Sequence, residues 1–158
     1  MNDTTTSSVK ARLRAAMTAA MKARDEVALA ALRQALSEVA VVETAGDEVA
    51  VLTDEQVLAV VAVEVRKHHE TADAFVTAGR PEQADHARAH AAVLEAYLPA
   101  ALGDDDLQRI IGEEIASAAA AGVEGMKAMG KVVSAVRAKA GPTADGAKIA
   151  ALVKAALA

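Results

Sequence analysis

Alanine supplies much of the apolar content of this chain, and that narrows what the chain can fold into. Alanine loses no side-chain entropy in a helix and is the best helix former. A sequence that is 53% hydrophobic, with alanine so prominent, therefore reads as all-α. Alanine also buries little area, so the core is thin, and Leu, Ile, Val and Met must supply most of the driving force. With three prolines in 158 residues, little of the chain is left for sheet. The charged fraction of 25% is that of a globular protein and too low, at this hydrophobicity, for disorder. The length fits one domain or two small ones closely joined. Cysteine is absent, which excludes disulfides and thiolate chemistry. Residues 1–8 form a polar tail without the apolar centre of a signal peptide. No apolar run approaches the roughly 20 residues of a membrane span. A cytoplasmic protein with no membrane contact is expected.

The apolar residues recur at helical spacing in seven segments. The first runs from about Val9 to Arg24, with Ser7 or Ser8 as N-cap and Val9, Leu13, Ala16, Met17, Ala20 and Met21 as its stripe. Asp25 caps a second helix that carries Leu29, Leu32, Leu36 and Val39 and ends near Glu43. Thr44 to Leu52 is a loop with a Gly46–Asp47 turn. Thr53 with Gln56 is a capping box. It opens a long third helix to about Ala78, with Val57, Val61, Val65, Ala72 and Phe75 inward. Glu64, Arg66, Lys67, Glu70 and Asp73 are placed on its other side. Pro81 starts a fourth helix that reaches Tyr97 and stops before Pro99. Asp104 or Asp105 caps a fifth, stopped by Gly122. Met126 to Ala140 is the sixth, broken by Gly141–Pro142, and Ala144 to Leu157 is the seventh, capped by Asp145. The outline is a four-helix region over 9–98, a short Pro-containing hinge, and a three-helix region over 99–158.

The net charge of −5 argues against nucleic acid, but its distribution is uneven. Residues 10–33 have a net charge of +4 and residues 125–158 of +5, whereas residues 34–124 sum to −13. Such asymmetry marks either a polyanion-binding face or basic ends that pair with an acidic middle. The sequence leaves both open.

Several of these segments together resemble one family. Tyr97-Leu98-Pro99, followed by Asp105-Asp106-Leu107, resembles the Tyr-Leu-Pro linker and acidic helix start of the GatB/YqeY family. Met129-Gly130-Lys131-Val132, then Ala144-Asp145-Gly146 and an apolar helix ending at Leu157, is similar to that family's distinctive C-terminal pattern. Glu64-Val65-Arg66-Lys67, Glu70, Phe75 and Ala78-Gly79-Arg80 match its long third helix. The resemblance covers about Val9 to Leu157, in order and with matching spacing. It implies a helical module like the tail of the B subunit of the tRNA-dependent amidotransferase, which holds the tRNA elbow. The eight-residue tail before the helices points to the stand-alone kind of family member, without the catalytic part of that subunit. Carbon–nitrogen ligase activity is therefore not expected of this chain, and no cofactor is implied. In one place the chain departs from the family pattern. Pro142 and Thr143 stand where the family usually has Gly-Arg, which removes the residue best suited to a bidentate phosphate contact.

Candidate residues divide by chemistry. Lys127, Lys131, Arg137, Lys139 and Lys148, with Gly130 allowing close backbone approach, form the first-choice surface for phosphate-backbone contacts. The alternative for Gly130 is tight helix packing. Glu64, Arg66, Lys67 and Glu70 read as a solvated face with local i,i+4 pairs, since no nucleophile or phosphate loop accompanies them. His86 and His90, four apart, share a helix face, but no third strong ligand is evident and no metal is expected. His68 and His69 point about 100° apart and cannot share one ion. With only Phe75 and Tyr97 as aromatics, base stacking is unavailable, so RNA would be bound by shape and backbone charge. Tyr97 is read as a packing residue at the hinge. The expected function is a non-catalytic adaptor that binds tRNA or a translation or amidotransferase component. The rival is a protein–protein interaction module without RNA.

Overall fold

The computed structural model describes residues 8–141 and 143–158. The seven α-helices it contains are α1 (Val9–Ala23), α2 (Glu26–Glu43), α3 (Asp54–Thr77), α4 (Pro81–Glu95), α5 (Asp104–Ala120), α6 (Met129–Ala140) and α7 (Gly146–Leu157). A 3-10 turn, Gly125–Ala128, leads into α6. The fold is all-α. Among the described residues no helix is long and apolar enough to cross a membrane. The chain divides into two compact units between Leu98 and Pro99.

The helix ends follow from local chemistry. Ser8 accepts from the Ala11 amide and Asp25 from the Ala28 amide, each satisfying one of the free N–H groups of a first turn. The capping box of α3 is formed in both directions by Thr53 and Gln56. Asp145 caps α7 by accepting from Ala147 and Lys148. Five ends differ from the sequence expectation, one of them the start of α7, which lies at Gly146 and not at Ala144. Arg24 lies outside α1 in the left-handed region at φ 57°, and its amide bonds back to the Ala20 and Met21 carbonyls. The N-cap of α5 is Gly103, and Asp104, Asp105 and Asp106 occupy its first turn, where they complement the helix dipole rather than cap it. The sixth segment opens as the 3-10 turn. The fourth helix ends at Glu95, so Tyr97 and Leu98 lie beyond it, packed on the core of the first unit. Ser7, the alternative first cap, the rest of the polar tail before Ser8, and Pro142 lie outside the described residues.

The core of the first unit joins Leu13 of α1, Leu32 and Val39 of α2, Val57 and Val61 of α3, and Leu94 of α4. A second, smaller group is almost all methyl: Ala72 of α3 with Ala84 and Ala87 of α4, edged by Phe75. Small side chains there let the two helices approach closely. Two polar ties span the unit. Asp54, in the first turn of α3, accepts from the Val9 amide at 3.0 Å and so caps α1 from outside. Glu43, at the end of α2, accepts from Lys10 and from the Leu52 amide. The Lys10 ammonium holds the Glu43 carboxyl below the usual carboxylate range. In the second unit, Leu107, Ile110 and Ile111 of α5, Val132 and Val136 of α6, and Ile149 and Val153 of α7 form one core.

Because Leu13 is fully buried, Leu13→Ala is expected to cost about 2–5 kcal/mol of stability in urea unfolding. Val49→Ala, in a loop where the side chain is 75% exposed, should change it by less than about 0.5 kcal/mol.

Candidate functional site

The basic residues singled out for phosphate contact all fall in the second unit, and the fold treats them unequally. Lys139 reaches Glu114 of α5, and that bond raises the lysine's pKa above the ordinary value. Lys148, in the first turn of α7, reaches Asp104 at the start of α5. The Arg137 guanidinium lies against the first turn of α7, where a side chain at Gly146 would meet its Nη2 at 2.8 Å. Any larger residue at 146 would displace it. Lys127 and Lys131 are exposed and form no ion pair among the described residues. Gly130 between them has open space where a side chain would stand. It therefore does not serve tight helix packing. Met129 packs on the core beneath.

The charged face expected on α3 is corrected at its centre. Glu64 is 1% exposed, not solvated. Its Oε1 accepts from Lys67 Nζ at 2.7 Å and its Oε2 from Gln34 Nε2 of α2 at 3.1 Å. A buried carboxylate requires such donors. The bond to Glu64 raises the Lys67 pKa. Arg66 is exposed, and among the described residues it forms no ion pair with Glu70. Tyr97 packs on the core, with the Arg12 guanidinium 5.6 Å from its ring centre. Pro99 is exposed.

The structure also assembles a group that spacing alone does not reveal. His68 of α3 stands edge-on to His90 of α4, with ring centres 5.3 Å apart, and His90 is 4.6 Å from His86. The three rings line a cleft of about 480 Å³ with Glu82, Gln83 and Phe75. His68 is 8% exposed. The Nε2 atoms of His68 and His90 are buried without a hydrogen-bond partner. Burial holds both imidazoles below the ordinary histidine pKa. Glu64 opposes the shift at His68, while His69 and Lys67 reinforce it. His86 and His68 add to the shift at His90. His69 points elsewhere and pairs with Glu95. The missed signal was one of register. His68 lies one turn beyond Glu64 and one turn before Ala72, on the buried side of α3, and that side faces α4. As the side chains lie, no three His, Asp or Glu groups among the described residues converge as a metal-ligand set.

An all-α chain of small helical units with exposed cations and a histidine-lined cleft defines a structural class and no particular activity. Within it, the sequence matches the Yqey-like protein family over residues 10–157, and the chain belongs to that family. No curated protein sequence matches the chain.

Buried His68 and half-buried His90 both have folded pKa values below the unfolded value of about 6.5. Between the two values the unfolded chain binds more protons, so stability falls as pH drops through that window. Urea unfolding is expected to show lower stability at about pH 5.5 than at about pH 7.5. His90→Gln should shrink the difference. A stability that rises on acidification over this range would contradict the burial of neutral imidazoles.

Proposed function

We propose that this Yqey-like protein is a non-catalytic helical adaptor that binds tRNA through the phosphate backbone, in a translation-associated role. The observation that carries the proposal is the Lys127–Gly130–Lys131 edge. Two exposed lysines without an ion-pair partner among the described residues flank a backbone position with open space above it. Such a surface offers charge and close approach without base reading, which is how sequence-independent phosphate contacts are made. Lys139 and Lys148 already engage Glu114 and Asp104, so they contribute less than their charge suggests. The hydroxyls that hydrogen-bond among the described residues go to helix caps and backbone carbonyls, as at Ser8, Thr18, Thr53 and Thr77, not to an imidazole or carboxylate base. That pattern supports an adaptor over a hydrolase or transferase.

A protein partner is the second reading, favoured by one feature of the first unit. A groove of about 560 Å³ between α1 and α2 is lined by Met17, Leu36 and Ala40 together with Arg14 and Arg33. Nearby, Met21, Val41 and Val42 are exposed.

Mobility shift with total tRNA separates the two. Binding is expected at low salt, weakening steeply as salt rises. Replacing Lys127 and Lys131 by Glu should weaken it more than replacing Lys139 and Lys148. No shift even at low salt would rule out the RNA role. Partners from lysate that survive RNase would then favour the protein-binding reading. Turnover of glutamine or Glu-tRNA by the isolated chain would overturn the non-catalytic assignment.

A further inference from the structure

The groove between α1 and α2 belongs to the first unit, and Lys127 and Lys131 to the second. Its lining follows helical periodicity on both sides. Arg14, Met17 and Thr18 come from α1 at i, i+3 and i+4, and Arg33, Leu36 and Ala40 come from α2 at i, i+3 and i+7. Met21, one turn beyond Met17, and Val41, one turn beyond Ser37, continue the two rows and are 53% and 59% exposed. Lys10 at the start of α1 bonds Glu43 at the end of α2, and Arg24 and Asp25 join the helices, so the two run antiparallel. A groove between helices, with apolar residues from each, accepts the apolar stripe of a third helix.

Charge selects that helix. Arg14 and Arg33 are exposed and form no ion pair among the described residues. None of the residues lining the groove is acidic. Glu43 feels the charge of Arg14, but its carboxylate is bonded to Lys10 and to the Leu52 amide. We propose that this groove binds an acidic amphipathic helix of a partner protein, with its apolar stripe on Met17, Leu36 and Ala40 and its flanking carboxylates on Arg14 and Arg33. The proposal rests on the protein-partner reading of the groove and does not require RNA. Methionine suits such a role, because its flexible thioether adapts to the shape of what docks. A second copy of the chain is a poorer occupant. A two-fold contact through this groove would gather four guanidinium groups with no carboxylate among the lining residues. RNA is poorer too, since neither aromatic residue lines the groove and apolar side chains offer nothing to phosphate.

The test uses the full chain and a fluorescent synthetic peptide of about 15 residues, the length of α1, followed by anisotropy. The peptide carries Leu at i, i+3, i+4 and i+7 and Glu on both flanks of that stripe. Saturable one-to-one binding is expected, weakening as salt rises. The double variant Arg14→Glu, Arg33→Glu should bind it about tenfold or more weakly, and should bind the same peptide with Lys in place of Glu more tightly than the unaltered chain does. Ala40→Glu, at an exposed position, should weaken binding while circular dichroism shows the helices intact. If that variant unfolds, the charge swap decides alone. Replacing Lys127 and Lys131 by Glu should leave peptide binding unchanged, and a loss there would overturn the site. Failure of the Glu peptide to bind, or equal affinity for the Glu and Lys peptides, would overturn the acidic partner. Lysate partners that survive RNase but are lost with Ala40→Glu would then show that the groove takes a protein of other chemistry. Self-association, tRNA binding or binding to phosphatidylglycerol vesicles that Ala40→Glu abolishes would overturn the proposal in favour of that occupant.

Discussion

Alanines at 72, 84, 87 and 91 are all buried on α3 and α4, and the close approach they permit governs much else in the first unit. Along this part of the seam, edged by Phe75, His68 is 8% exposed. One turn earlier, Glu64 is buried too, and it is satisfied only because α2 supplies Gln34 and α3 itself supplies Lys67. A leucine-rich seam would hold the helices farther apart, since interaxial distance follows the side chains at the contact. Methyl packing contributes little area per residue. The larger core of Leu13, Leu32, Val39, Val57, Val61 and Leu94 therefore supplies most of the hydrophobic stabilisation of this unit.

Charge is arranged on a second principle. The basic ends of the chain are partly folded back on acidic residues from its middle: Lys10 on Glu43 in the first unit, and Lys139 on Glu114 and Lys148 on Asp104 in the second. Of these, the Lys148–Asp104 pair is exposed on both sides and adds little stability, whereas Glu43 is buried. Lys127, on the 3-10 turn, and Lys131, in the first turn of α6, are exposed and form no ion pair among the described residues. The positive segment at the C-terminal end thus carries fewer unpaired cations than its sequence charge implies.

Helix existence and most inward positions were legible in the sequence because helical periodicity and capping chemistry are local, but Met21, read as part of the α1 stripe, is 53% exposed. Thr53, Asp25 and Asp145 each announce a helix start by the side chain they place before it. The start of α5 was misplaced by one or two residues because three consecutive aspartates offer equivalent caps, and the backbone instead turns at Gly103. Family membership was legible in the spacing of motifs along the chain, and the match over residues 10–157 bears it out. The burial of Glu64 and the meeting of His68 with His86 and His90 were not legible. Both depend on which face of α3 packs on α2 and α4, a tertiary fact that no local pattern encodes. Glu64 belongs to the run Val57, Val61, Glu64, Val65, His68, Ala72 on the buried side of α3, so two polar residues interrupt an otherwise apolar stripe.

The seam-and-cluster arrangement is tested most directly by following each histidine's ring protons through a pH titration by NMR, with His68→Gln and His90→Gln used to assign the signals. The arrangement predicts that His68 and His90 titrate below the ordinary histidine value, and that Ala87→Leu, which forces α3 and α4 apart, returns them toward it. If His68 and His90 titrate at or above the ordinary value in the unaltered chain, the methyl-lined seam does not bury them and the cluster is not formed.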